Sequence, residues 1–459
     1  MGNKWPEFRL DEITTLIIDC PHSTPEWTDS GVIVLRSNNI RNGALDLTTP
    51  SFTTEEGYLD RIKRAIPSEN DIVLTREAPM GEVCIIPKGL KCCLGQRMVL
   101  IRADITQVLP EYLLYTIQSS YIQNQISWNE GTGTTVSNIR IPNIKALKIP
   151  LPGLSIQRKI AANLLSIDKN ISLNNSINQT LEQMSQTLFK SWFVDFDPVI
   201  DNALDAGKSI PEALQSRAEL RQKVRNSADF KPLPADIRVL FPAEFEETEL
   251  GWVPKGWKSE TFDSFCDFIQ SGGTPSRKET SFWDDGTIKW LSSGEVKGKI
   301  VLDTKEKITE TGLLHSSAKL WKKYTTVVAM YGATAGEVCI IGDKMTANQA
   351  CCALHSEKHP FYVYNFVNYK ADELASKATG SAQQNLNKLI ISSTKFIRPS
   401  NSIITTFEDN VAPLFIKWFS NSSENNILTN LRDTLLPKLI SGELSLEDLP
   451  DLIKQTEAA

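Results

Sequence analysis

No run of this 459-residue chain approaches the roughly 18 apolar residues that a membrane helix needs. The opening MGNKWPEFRLDEI also lacks the positive and then apolar pattern of a secretory signal. Cysteine is sparse. The eight present include two adjacent pairs, Cys92-Cys93 and Cys351-Cys352, which read as small core residues and not as a disulfide framework. A soluble, multidomain protein in the reduced cytoplasm is expected, with no membrane partner. Excess positive charge is missing too. The net charge of -6 argues weakly against nonspecific polyanion binding, yet a mixed-sign surface can carry a local basic face.

Catalytic signatures are absent as well. Gly207-Lys208-Ser209 resembles the end of a phosphate-binding loop, but the required earlier glycine is replaced by Asn202, so a helix cap is the better reading. His355 and His359 have the spacing of a zinc helix, but the general-base position holds Ser356; a surface loop is expected there. No Cys and His have metal spacing, and Gly131-Thr-Gly133 lacks the third glycine of a dinucleotide fingerprint. No amino-methyltransferase motif is found. A non-catalytic chain without cofactor or metal is expected.

What the chain does contain is itself, twice. GEVCII at Gly81 to Ile86 returns at Gly336 to Ile341, 255 positions later. At the same offset Ala78 answers Ala333, and Gly31-Val-Ile-Val-Leu answers Gly286-Thr-Ile-Lys-Trp. Further back, Thr24-Pro25 with Trp27 and Asp29 mirrors Thr274-Pro275 with Trp283 and Asp284. Thr132-Gly133 and Asn138 match Thr379-Gly380 and Asn385 at offset 247. Repeats of this kind mark a duplicated architecture.

Each copy opens with short apolar runs such as DIVLT, VCIIP and MVLIR, bounded by turn residues, the mark of strands. Each then changes period. Ile160, Leu164, Ile167, Ile171, Leu181, Met184 and Leu188 form a helical stripe, answered at offset 247 by Phe407, Val411, Leu414, Trp418, Leu428, Leu431 and Leu435. A constant offset means no insertion, as expected of helices that pack along their length. Such helices, about 39 residues each, span roughly 58 Å at 1.5 Å per residue. Asn174 and Asn421 interrupt both stripes; either they fix register as polar seam residues or the helices break at Ser172 to Ser176 and Ser420 to Ser423. Between the copies, Ser209-Ile-Pro-Glu212 reads as a capping box opening a short helix. GEVCII is assigned to a central scaffold strand.

The fold class is α+β: two α/β domains in tandem pseudo-repeat, joined by two long antiparallel helices forming a coiled coil. The expected divisions are 1-152, a first domain; 153-197, a first helical spacer; 198-247, a partly helical connector; 248-399, a second domain; and 400-459, a second helical spacer and tail.

LPGLSIQRKIAANL, LFKSWFVDFDPV, FPAEFEETELGWVPKGW and LLPKLISGEL resemble the specificity subunit of type I restriction-modification systems, over essentially the whole chain. The resemblance implies a subunit that reads double-stranded DNA, binds two modification subunits through its helices, and joins restriction subunits in the full complex. S-adenosylmethionine and ATP with magnesium would belong to those partners. An in-line duplication places two different heads on one duplex, so a bipartite, asymmetric target is expected, with a gap of about one DNA turn, roughly 34 Å. Two alternatives stay open: a self-contained DNA methyltransferase, and a scaffold whose two heads hold proteins.

Residues shared by both copies should build the scaffold, and polar residues that differ should read bases. Arg36, Ser37, Asn38 and Asn39, set against Leu291, Ser292, Ser293 and Gly294, are candidates, as are Arg76 against Tyr331 and Arg97 against Ala350. Arginine can pair with guanine and asparagine with adenine in a bidentate manner. In the second copy Arg277, Lys278, Ser292, Ser293 and Tyr331 are selected. The aligned Gln96 and Gln349, and the loops at Thr134-Thr135 and Ser381-Ala382, are expected to hold phosphates.

Overall fold

The computed structural model describes residues 4–128, 138–377 and 386–444. The two copies share one strand order. In the first, Thr14–Asp19, Met98–Ala103, Ile72–Thr75 and Val83–Ile85 lie side by side and antiparallel. In the second, Phe268–Ser271, Cys351–His355, Thr326–Ala329 and Val338–Ile341 repeat that order, with Ile300–Val301 added in parallel at the edge. A smaller sheet, ordered Ser51–Thr53, Val32–Leu35, Cys92–Leu94, is matched by Glu306–Ile308, Ile288–Leu291, Thr346–Ala347. Each smaller sheet has one antiparallel and one parallel neighbour, a mixture that rarely arises by accident in two unrelated domains.

GEVCII is not central. Val83–Ile85 lies at the edge of its four-stranded sheet, and Val338–Ile341 is next to last in its five-stranded one. Its spelling is held by the turn that precedes it. Gly81 and Gly336 sit at φ 89 and φ 91, a left-handed region that favours glycine. Their N–H groups donate to Thr75 O and Ala329 O, both at 2.9 Å. A Cβ on Gly81 would meet Gln123 Oε1 at 2.6 Å, and one on Gly336 would meet the Ala375 Cβ at 2.6 Å. The twin cysteines behave as expected: all eight thiols are free, and Cys351 and Cys352 enter different core clusters, as successive residues on a strand must. His355 departs from expectation. It ends a buried strand, 4% exposed, with Nδ1 3.1 Å from Thr325 Oγ1. His359 precedes the helix Pro360–Tyr369 and is also partly enclosed, its Nε2 3.0 Å from Thr405 Oγ1.

The two long helices, Leu154–Phe193 and Asn401–Ser441, are unbroken for 40 and 41 residues. No break occurs at either asparagine. The chain divides into two compact units, Leu173–Asn425 and the remainder, Met1–Ser172 with Asn426–Ala459. These borders cut through both helices, so each unit owns one repeat domain and half of each helix.

In the first unit, Ile160 and Leu164 of one helix and Leu435 and Leu439 of the other pack with Tyr112 and Tyr115. Tyr115 donates to Asp168, 2.6 Å, which pairs with Arg432 at 3.0 Å. Gln157, fully buried, accepts from Leu109 N–H at 2.9 Å and donates to the carbonyls of Gln107 and Pro152. That exhausts most of its bonding capacity, which accounts for a polar residue on the buried helix face that continues with Ile160, Ala161 and Leu164. In the second unit Phe189, Trp192 and Phe193 pack with Tyr362, Phe366 and Phe407. Met184 does not join this seam; it is 52% exposed.

Within the second unit the helices run antiparallel through an asparagine ladder. Asn421 donates to Asn178 Oδ1 at 2.9 Å, Asn174 to Asn425 Oδ1 at 3.0 Å, and Asn425 to Asn175 Oδ1 at 2.8 Å. Asn421 is 0% exposed and its own Oδ1 is unpartnered. Replacing it alone with leucine leaves the Asn178 Oδ1 without its donor and is expected to cost about 1–2 kcal/mol. Asn178→Leu combined with Asn421→Leu removes both partners and is expected to return to near wild-type stability. Urea unfolding of the two singles and the double checks this, and additive losses would exclude it.

The connector is helical, Gln215–Arg225, but Ser209 does not cap it. A short turn, Glu212–Leu214, begins after Pro211 instead. Arg217, Arg221 and Arg225, four residues apart, pair with Asp197, Asp201 and Asp205 of the helix Asp197–Asp205, the helical spacing that puts charges on one face.

Candidate nucleic-acid interface

Matching hydrogen bonds fix which positions of the two domains correspond. Leu35 O accepts from Gly95 N–H, and Leu291 O accepts from Asn348 N–H. The next residue in each, Arg36 and Ser292, opens a short 3-10 turn, with Asn39 or Glu295 bonding back to its backbone N–H. Arg36 thus corresponds to Ser292 and not to Leu291, a one-residue correction to the sequence alignment. Ser37 corresponds to Ser293, and Asn39 to Glu295. Arg76 needs a one-residue correction in the opposite direction. Its N–H donates to Arg97 O and its carbonyl accepts from Ile139; Met330 makes the same pair with Ala350 and Leu386. Met330, not Tyr331, is its counterpart.

Several candidate side chains are spent on the scaffold. Asn39 is 2% exposed, its Nδ2 donating to Asp46 O at 3.0 Å. Arg76 holds both Asp19 oxygens at 2.8 Å and Ile139 O at 3.0 Å. Ser292 donates to Glu295 at 2.6 Å. Gln96 donates to His22 O and Thr24 Oγ1, and Gln349 accepts from Thr274 Oγ1. The shared glutamine therefore ties down the shared Thr-Pro segment in both copies. Ser37 donates to Ala78 O at 3.1 Å, and Ser293 is half-buried at the start of its turn.

Others face solvent. Asn38 and Lys278 are exposed, Tyr331 is 40% exposed, and Arg97, at φ 67, lies 3.2 Å from Glu77. Arg36 lies over the Trp27 ring at 5.3 Å, with its Nη1 3.5 Å from Ser51 Oγ. Arg277 lies 3.6 Å over Trp283 and 4.8 Å over Trp290, and its Nη2 donates to Glu306 at 2.9 Å. That bond holds the Glu306 carboxyl below the usual carboxylate range, so the pair stays charged. Thr134, Thr135 and Ser381 lie outside the described residues. The tryptophans were not among the sequence candidates, although the Thr-Pro segment that precedes each one marked them.

The family model for the type I restriction modification DNA specificity domain matches this chain twice, over residues 2–183 and 254–407. The chain belongs to that family. It is 29% identical over 371 residues to the type I restriction enzyme HindI specificity subunit of Haemophilus influenzae, covering 76% of this chain and 80% of that one. It is 25% identical over 402 residues to the MjaIX specificity subunit of Methanocaldococcus jannaschii, covering 86% and 82%. Among solved structures, the type I restriction-modification S subunit from M. genitalium matches with a TM-score of 0.56 over 95% of this chain and 96% of that one. Its 16% identity makes that a likeness of fold. For a specificity subunit, the bonding of Asn39, Arg76 and Gln96 to the scaffold has a simple reading: the platform must be braced before its exposed residues can vary.

Among the described residues no helix is long and apolar enough to cross a membrane.

Proposed function

We propose that each domain reads one half of a bipartite, asymmetric DNA target, that the paired helices set the gap between the halves and dock two modification subunits, and that the chain itself performs no catalysis. Restriction subunits join in the full cytoplasmic complex. S-adenosylmethionine, ATP and magnesium are bound by those partners. One observation carries this reading. Two domains with the same strand order present different side chains at corresponding positions, Arg36 against Ser292 and Glu77 against Tyr331. Shared architecture with varied side chains at matched positions is what two readers of different sequences require.

The test uses the full chain with its modification subunits and a pool of random duplexes. A split sequence with a fixed gap should be enriched. Exchanging residues 1–150 for another reading domain should change one half and leave the other intact; a change in both halves together would defeat the modular reading. A self-contained methyltransferase would bind S-adenosylmethionine as the isolated chain, and the expected result is no binding.

A further inference from the structure

We propose that the arginine–tryptophan pairs Arg36–Trp27 and Arg277–Trp283 are equivalent base-reading centres, and that the residue facing each arginine, Ser51 or Glu306, decides which base edge is read. This rests on the DNA-reading function above and assigns it to specific groups.

Ser51 and Glu306 occupy the same place. Thr54 and Thr309, three residues after each, cap the following helix by accepting from Gly57 and Gly312 N–H, both at 3.0 Å. The strands carrying them pair with Val32–Leu35 and Ile288–Leu291 in the same sense. In both domains, then, a guanidinium lies on a tryptophan that follows a Thr-Pro segment, and points at the same strand position.

The arginines, however, come from different parts of the chain. Arg36 stands where the second domain has Ser292. Arg277 lies in a longer segment between Pro275 and Trp283, where the first domain has only Glu26 between Pro25 and Trp27. Simple duplication delivers an arginine to corresponding sequence positions. Here the position in space is kept while the source changes, which points to a requirement for the group itself. A planar guanidinium laid on an aromatic face is held in one orientation with its hydrogen-bonding edge outward, at little further entropic cost.

The two edges differ. Arg36 is exposed, and among the described residues its hydrogen-bonding edge meets only a hydroxyl at 3.5 Å, beyond a good hydrogen bond. Its fork is open to paired acceptors such as guanine O6 and N7. Arg277 has both Nη groups on the Glu306 carboxylate, so its fork is filled. What that pair offers is the carboxylate's remaining lone pairs, oriented and neutralised, which suit the amino group of cytosine N4. Both Arg277 and Glu306 stay about half exposed, 51% and 47% by side chain.

The experiment is duplex selection by the full chain with its modification subunits, comparing wild type, Arg36→Lys and Glu306→Ser. Arg36→Lys keeps the charge and loses the fork, so preference for guanine should fall roughly ten- to a hundredfold at one position of one half-site. Glu306→Ser frees Arg277 and should exchange cytosine for guanine at one position of the other half. A split target that both variants leave unchanged at every position overturns this inference while leaving DNA reading intact. A uniform weakening across all sequences also overturns it, marking the arginines as phosphate contacts. A pool that never enriches a split sequence overturns the DNA-reading function, and this inference with it.

Discussion

Phe407→Ala is expected to lower the unfolding free energy of the unit Leu173–Asn425 by about 3–5 kcal/mol. Phe407 is 0% exposed and its ring meets four others: Phe193 at 5.0 Å, Phe189 and Trp192 at 5.9 Å, and Tyr362 at 6.1 Å. All four contacts are edge-on, at 62°, 74°, 78° and 79°, the arrangement the ring quadrupoles favour. Removing the ring opens a cavity among residues of the first long helix, the second, and the helix Pro360–Tyr369 at once. None of them can collapse inward without dragging a helix with it. Against a typical total of about 5–15 kcal/mol for a domain, the loss is large. Urea unfolding followed by tryptophan fluorescence measures it, since Trp192 lies in the affected cluster. Phe407→Leu keeps most of the volume and should lose much less. A loss below about 1 kcal/mol for the alanine variant would mean this cluster is not continuous.

Stability of the same unit should fall as pH rises from about 4.5 to about 7, by roughly 3 kcal/mol, through Glu408. Its carboxyl is 7% exposed and accepts from Phe361 N–H at 3.0 Å and Tyr362 N–H at 2.8 Å. Burial pushes its pKa up from 4.5 to about 7, against the lowering effect of the two N–H groups. The folded chain therefore holds this proton across a window in which the unfolded chain has released it. Below the window both states are protonated and the full contribution is present; above about 7 both are ionised and it is lost. Glu408→Gln cannot ionise, and still offers one carbonyl oxygen to the helix N-terminus. Urea midpoints at several pH values should show a slope in the wild type that is flattened in the variant. A slope that persists unchanged in Glu408→Gln would assign the effect to another group.

Gln157 and Glu408 show why such residues look misplaced in sequence. Each sits in an otherwise apolar helical stripe, and each bonds backbone N–H groups at the start of a helix some 46–48 residues earlier. Nothing within a helical turn of either predicts its partner. Asn174 and Asn421 were equally ambiguous until the opposite helix was in place. The candidate site divides along the same line. Arg36 and Arg277 were legible as exposed arginines, but Arg76 could not be distinguished from them, because its carboxylate, Asp19, is 57 residues away.

The duplication, the short strands, the two long helices and the core role of the cysteines were determined by sequence alone. These follow from local periodicity and turn chemistry, which act over a few residues and leave a repeated imprint. Tertiary structure decided which positions of the two copies correspond, placing Arg36 opposite Ser292 and Arg76 opposite Met330. It also decided which polar side chains remain free. Loops accept a changed length at small entropic cost, so an alignment anchored on GEVCII drifts by a residue in the strands around it. Hydrogen-bond partners distant along the chain then settle whether an arginine braces the fold or faces solvent.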